Sequence, residues 1–138
     1  FYCENIPQVL AECRRVLKDE GRFLCSTYGK QHMWEITDLV QQFHKEIVLS
    51  AEVLYERFGL ENGENLLAPY FPEIQMRRYE DAIEIAEAEP LISYILSCHG
   101  NQNQLLLNQY KEFREFVSAR VADGFHITKD AGIFLCRK

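Results

Sequence analysis

Apolar residues along this chain follow two spacings, and the changes of spacing mark its elements. Ile6, Val9, Leu10, Cys13, Val16 and Leu17 recur at the three-and-four step of a helix. Pro7 suits the first turn of that helix and Gly21 the stop after it. From Arg22 to Thr27 the step collapses. Phe23, Leu24 and Cys25 stand side by side, the pattern of a strand covered on both faces. Ser26-Thr27-Tyr28-Gly29 then predict a polar loop at its carboxyl end. Helical spacing returns with Met33, Ile36, Leu39, Val40 and Phe43, and more briefly with Ala51, Leu54, Tyr55 and Phe58. "LENGENLLAPYF" predicts a loop with Asn62 near an N-cap, then a helix carrying Leu66, Leu67 and Tyr70, closed by Pro72.

The second half repeats the alternation. Ile74, Met76 and Arg78 alternate with Gln75, Arg77 and Tyr79, which predicts a strand that Ile83 and Ile85 continue after a bend. "EPLISYILSC" predicts a helix, and "NQNQ" breaks it. A long amphipathic helix follows with Leu106, Tyr110, Phe113, Val117 and Val121, stopping at Gly124. Lys129-Asp130-Ala131-Gly132 predict a turn. On this reading Phe125 to Thr128 is the hairpin partner of a closing buried strand, Ile133-Phe134-Leu135-Cys136. No internal repeat, low-complexity segment or linker interrupts residues 1–138, so they are read as a single domain unit.

Composition narrows the class. The 138 residues are 47% hydrophobic and 12% aromatic, as in a globular protein, and suffice for one domain. A net charge of -6 and scattered basic residues argue against nucleic acid and an anionic membrane as partners. No run reaches the roughly 18 apolar residues of a membrane-spanning helix, and Phe1-Tyr2-Cys3-Glu4 do not open a secretory signal. The 5 cysteines include no CxxC pair. They are read as small buried thiols in a reducing cytoplasm. His32, His44, His99 and His126 have no Cys or His at ligand spacing, so no metal site is expected.

The phrases carry more than the pattern. "IPQVLAECRRVLKDEGRFLCST" resembles the segment after the fourth strand of class I S-adenosylmethionine-dependent methyltransferases. That family reads there as an aromatic pair, a Pro or Asp near the helix start, a basic-Val-Leu-Lys ending, a double glycine and a strand. Gly21 keeps the second glycine, while Glu20 replaces the first. "LENGENLLAPYF", "IQMRRYEDAIEI" and the ending "ITKDAGIFLCRK" are similar to the later part of the methyltransferase type-11 group, the ending being its last, antiparallel strand. The resemblance implies a partial Rossmann-like α/β fold. It would have about three main strands, helices packed around them, and helical lid segments near 50–70 and 88–122. It makes the chain the C-terminal half of such a domain, a reading that its non-methionine start also suggests. The glycine-rich cofactor loop and the ribose-binding acid would lie upstream, and no GxG occurs here.

The function implied is methyl transfer from S-adenosylmethionine to a small-molecule acceptor by the parent protein, with the fragment inactive alone. Phe1 and Tyr2 would then sit at the methionine end of the cofactor, and Tyr28, His32 and Trp34 would face the acceptor or lid. Each has a packing alternative: a terminus for Phe1-Tyr2, a packed loop for Tyr28, a helix-cap histidine for His32, a core or lid anchor for Trp34. A strand bared by truncation predicts self-association, with a homodimer of the fragment expected. A second class of function remains open, a non-catalytic α/β module for dimerisation or partner binding. A nucleotide-binding protein of another kind is disfavoured by the missing phosphate loop.

Overall fold

The computed structural model describes all residues from Phe1 to Lys138. Its elements run α1 (Ile6–Val16), β1 (Arg22–Tyr28), α2 (Trp34–Phe43), α3 (Leu54–Arg57), α4 (Gly63–Leu67), β2 (Glu73–Ile85), α5 (Ala88–Ser97), α6 (Gln102–Leu106), α7 (Tyr110–Val121) and β3 (Phe125–Arg137). The strands form one open antiparallel sheet in the order β1-β3-β2, with the last strand between the two earlier ones. β1 and β3 pair from Arg22 opposite Arg137 to Tyr28 opposite Ala131. The α/β class and the antiparallel final strand are as the sequence predicts. No helix is long and apolar enough to cross a membrane.

The chain divides into two compact units. The first comprises Phe1–His32, Val53–Glu80 and Asp130–Lys138. Its core gathers Leu10 of α1, Leu67 of α4, Phe58, Leu60 and Phe71 of the loops, and Phe134 and Cys136 of β3. Phe23 and Cys25 pack against these from β1, and Phe23 stacks on Phe71 with ring centroids 5.3 Å apart. Asn5 caps α1 by accepting from the Gln8 amide, and Pro7 occupies its first turn. The second unit comprises Met33–Glu52 and Asp81–Lys129. There α2, α5 and α7 present Ile36, Leu39, Val40, Leu91, Ile92, Ile95, Phe113, Val117 and Val121 to one another, with Ile127 of β3 beneath. Ile36, Leu39, Val40, Phe113, Val117 and Val121 are among the residues picked out by helical spacing, because one apolar stripe per helix is what a packed helix buries.

Several expectations need correction. β3 is one strand, with no turn at 129–132. The turn-forming residues serve tight approach instead. A Cβ at Gly132 would stand 2.8 Å from the Arg77 carbonyl oxygen, and the Asp130 side chain is buried beneath the sheet end. β2 likewise runs unbroken through the expected bend. Ser26 to Tyr28 belong to β1, where β3 residues Ile133 to Ala131 pair with them, and the loop starts only at Gly29. The long helix is two, α6 and α7, separated at 107–109.

β1 is not covered on both faces. Phe23 and Cys25 face the core, but Leu24 is 54% exposed. Leu24 and its partner Leu135 line an open groove of about 630 Å³ with Arg22, Arg77 and Arg137. The helices of this unit pack on the Phe23 face, which leaves the Leu24 face without an apolar cover.

The turn into β1 holds a local strain. Glu20 has φ +61°, in the left-handed region, at the position where the resembled family has glycine. A side chain with a Cβ costs about 1–2 kcal/mol there. Glu20→Gly is therefore expected to stabilise the chain by about 0.5–1 kcal/mol, after allowing for the extra freedom of glycine when unfolded. Urea denaturation of the two proteins measures the difference, and no gain would mean that the turn is not strained.

Candidate functional site

The carboxyl end of β1 gathers an aromatic cluster. Tyr28, the last residue of the strand, has Phe1 at 5.4 Å, His32 at 5.0 Å and Tyr55 at 6.5 Å between ring centroids. Phe1 in turn meets Tyr2 edge-on at 4.9 Å. Phe1, Tyr28, His32 and Tyr55 are half-buried, while Tyr2 is 79% exposed. The apolar side chain of Phe1 also packs on the core, so the N-terminal residues are held against the strand end.

The loop that follows is fixed by two carboxylates. Asp130 Oδ2 accepts from the Gln31 amide at 3.1 Å, and Glu61 Oε1 accepts from the Lys30 amide at 3.1 Å. The Gly29 amide donates to the Asp130 carbonyl at 2.9 Å, and the His32 amide to the Gly29 carbonyl at 3.2 Å. Arg78 of β2 reaches both acids, at 3.4 Å from Asp130 Oδ1 and 3.5 Å from Glu61 Oε1. Asp130 is 7% exposed, so its charge is offset by a guanidinium and an amide rather than by water. Beneath them the Thr27 hydroxyl donates to the Phe58 carbonyl at 2.6 Å. A Cβ at Gly29 would lie 2.3 Å from Asp130 Oδ2 and 2.7 Å from Glu61 Oε1. That glycine makes room for the chain's own carboxylates.

Of the residues singled out from the sequence, Phe1, Tyr2, Tyr28 and His32 thus come together. Trp34 belongs to the other unit. It opens α2 in the second unit and is 48% exposed. The start of α2 is set by Met33 at φ +58°, whose amide donates to the Thr128 carbonyl at 2.8 Å. Glu35 closes this entry. Its carboxylate accepts from the Thr128 amide at 3.0 Å and from the Thr128 hydroxyl. Burial pushes the Glu35 carboxyl up, but the hydrogen bonds from the Thr128 hydroxyl, its own backbone and the Thr128 amide outweigh it. The carboxyl lies below its ordinary value.

Tyr55, Glu61, Arg78 and Asp130 are the members of this site that sequence reasoning missed. Gln31 and Asp130 are 99 positions apart, and no local spacing links them. Cys25, half-buried in β1, is disfavoured as a thiolate. Burial, with Cys136 and Cys13 adding like charge, pushes it up to about 12. No three His, Cys, Asp or Glu side chains converge as a metal site.

No protein-family model matches the chain, and no curated protein matches it.

Two outcomes follow from these contacts. Gly29→Ala is expected to destabilise the chain by about 1–3 kcal/mol, since the added methyl must displace a buried carboxylate. Chemical denaturation reads the change, and a neutral effect would mean that the loop yields freely. Glu35, whose folded value is depressed, contributes stability that is fully present above its unfolded value near 4.5. That contribution is lost as the pH falls through the lower folded value. A thermal-melting profile from neutral to acid should therefore fall less steeply for Glu35→Gln than for the parent chain. Parallel profiles would show that the Thr128 contacts do not favour the charged form.

Proposed function

We propose that this chain is the C-terminal half of a class I methyltransferase domain, contributing one wall of an S-adenosylmethionine site and the covering helices of an acceptor site. The observation that carries the reading is the cluster of Phe1, Tyr2, Tyr28 and His32 at the carboxyl end of β1. Sites in open α/β sheets lie beyond such strand ends. The element order, the antiparallel final strand and the phrase-level resemblance support it.

The residues present fit the cofactor in part. A sulfonium is a compact cation, and the faces of aromatic rings attract cations within about 6 Å of a ring centre. The remainder of a cofactor site is not built here. Gly29, the glycine at the strand end, has its open side filled by Asp130 and Glu61 rather than by space for a ligand. When bound, S-adenosylmethionine supplies the activated methyl group. The chain's own residues then orient and shield: Tyr28 and Phe1 form an apolar wall that excludes water, and the Gly29–Gln31 loop holds that wall in place. His32, in ring contact with Tyr28, is the group at this wall with a basic nitrogen, suited to accept a proton from a hydroxyl acceptor. The acceptor is read as a small molecule.

The second reading, a non-catalytic module that binds a partner, draws on the long uncovered strand β2. Isothermal calorimetry with S-adenosylmethionine separates the two, using the 138-residue chain beside the product of the complete gene. Binding by the longer protein alone is the expected result. Binding by neither protein would overturn the methyltransferase reading. Binding by the short chain itself would place the whole cofactor site around Phe1, Tyr2 and Tyr28, and Tyr28→Ala should then abolish it.

A further inference from the structure

β2 is the longest uncovered feature of the molecule. It spans Glu73–Ile85 at an edge of the sheet, with β3 on its other side. Every residue from Gln75 to Glu84 is exposed, including Met76, Tyr79 and Ile83. A long edge strand with apolar side chains presents unpaired backbone groups to any strand that fits them. The charges at its centre are sorted. Arg77 and Arg78 precede Tyr79, and Glu80 and Asp81 follow it, while Glu73 and Glu84 stand near the two ends.

That order is self-complementary when the strand is reversed. If two copies of β2 pair antiparallel about a two-fold axis at Tyr79, residue 77 of each faces residue 81 of the other, and 78 faces 80. Arg77 then meets Asp81 of the second copy on one face; on the other, Arg78 stands opposite Glu80 while its guanidinium stays with Asp130 and Glu61 of its own chain. Both pairs occur twice, and Tyr79 faces Tyr79 at the axis. Met76 lies opposite Ala82, and Gln75 opposite Ile83. Slipping the register by one residue loses this match. Within its own chain Arg77 bonds only the Gln75 side chain, at 3.2 Å, and Glu80 and Asp81 have no cation of their own. Directly opposed residues on antiparallel strands have Cβ atoms about 4.5–5.5 Å apart, within reach of an arginine and a carboxylate.

We propose that β2 is a homodimerisation edge, joining two copies of this chain antiparallel about Tyr79 into one continuous sheet. The proposal is independent of methyl transfer. The other edge, β1, offers no such match, because Arg22 is its one charged residue. The expected self-association is thereby assigned to β2 rather than to the bared side of β1.

Sedimentation equilibrium of the whole chain gives the dimer constant, and three variants test the register. Arg77→Asp and Asp81→Arg should each weaken the dimer by on the order of tenfold, since each turns two attractive cross-strand pairs into two repulsive ones. The double swap, Arg77→Asp with Asp81→Arg, should restore it. Tyr79→Cys should form a disulfide-linked dimer on oxidation that the parent chain does not form under the same conditions. Both hydrogen-bonded and non-hydrogen-bonded antiparallel positions bring Cα atoms within disulfide range. A chain that stays monomeric at every concentration overturns the proposal. So does a dimer that neither single reversal weakens, or one in which Tyr79→Cys fails to cross-link.

Discussion

Much of this structure depends on a strand that must serve two ladders. β3 lies between β1 and β2, and from Ala131 to Arg137 it is paired with β1 along the whole length of that strand. An interior strand exposes neither edge, and its side chains must suit whatever covers each face. Its burial pattern follows. Phe134 and Cys136 enter the core of the first unit, and Ile127 enters that of the second. Each core is thus anchored on a different stretch of one strand. A turn at 129–132 would have withdrawn the partners that β1 uses from Ser26 to Tyr28. The ladder outweighs the local preference of Asp and Gly for turns, because a backbone group left unpaired in a sheet interior costs more than a mild propensity.

The same strand supplies the acid that organises the end of β1. Asp130 and Glu61 act on the loop as capping residues act on a helix, accepting from amides that the strand ladder no longer reaches. Arg78 offsets their charge, so the two acids tolerate each other at close range. The aromatic cluster therefore rests on a polar scaffold and an apolar core at once. Glu35 and Thr128 repeat the device where α2 begins, and there the hydrogen bonds decide the charge state against burial. In both places a short acidic side chain replaces a missing backbone partner, which fixes a loop without requiring it to be buried.

The outer strands show the complement of this economy. β1 and β2 each keep one unpaired edge, and they differ in what those edges present. β1 is short and its open face carries Leu24 beside arginines of all three strands. β2 is long and exposed, with a basic pair, Arg77-Arg78, and an acidic pair, Glu80-Asp81, on either side of Tyr79. Charge arranged in this way limits indiscriminate pairing and favours a single reversed register, which is how charged edges avoid open-ended aggregation.

The sequence by itself determined the helices and their buried faces. Leu39, Val40, Phe113 and Val117 are legible because helical periodicity is local and a packed helix buries one stripe. It also determined the strand at Phe23 to Cys25 and drew attention to Tyr28 and His32 through their place near that strand's end, and to Phe1 and Tyr2 through the family resemblance. Only the tertiary structure decided that these four meet. It alone made Asp130 and Glu61 the supports of the loop and left Leu24 uncovered. The reason is range. Propensity and periodicity act over a few residues, whereas the partner of Gln31 lies 99 positions away and the cover of a strand face comes from whichever helices pack there.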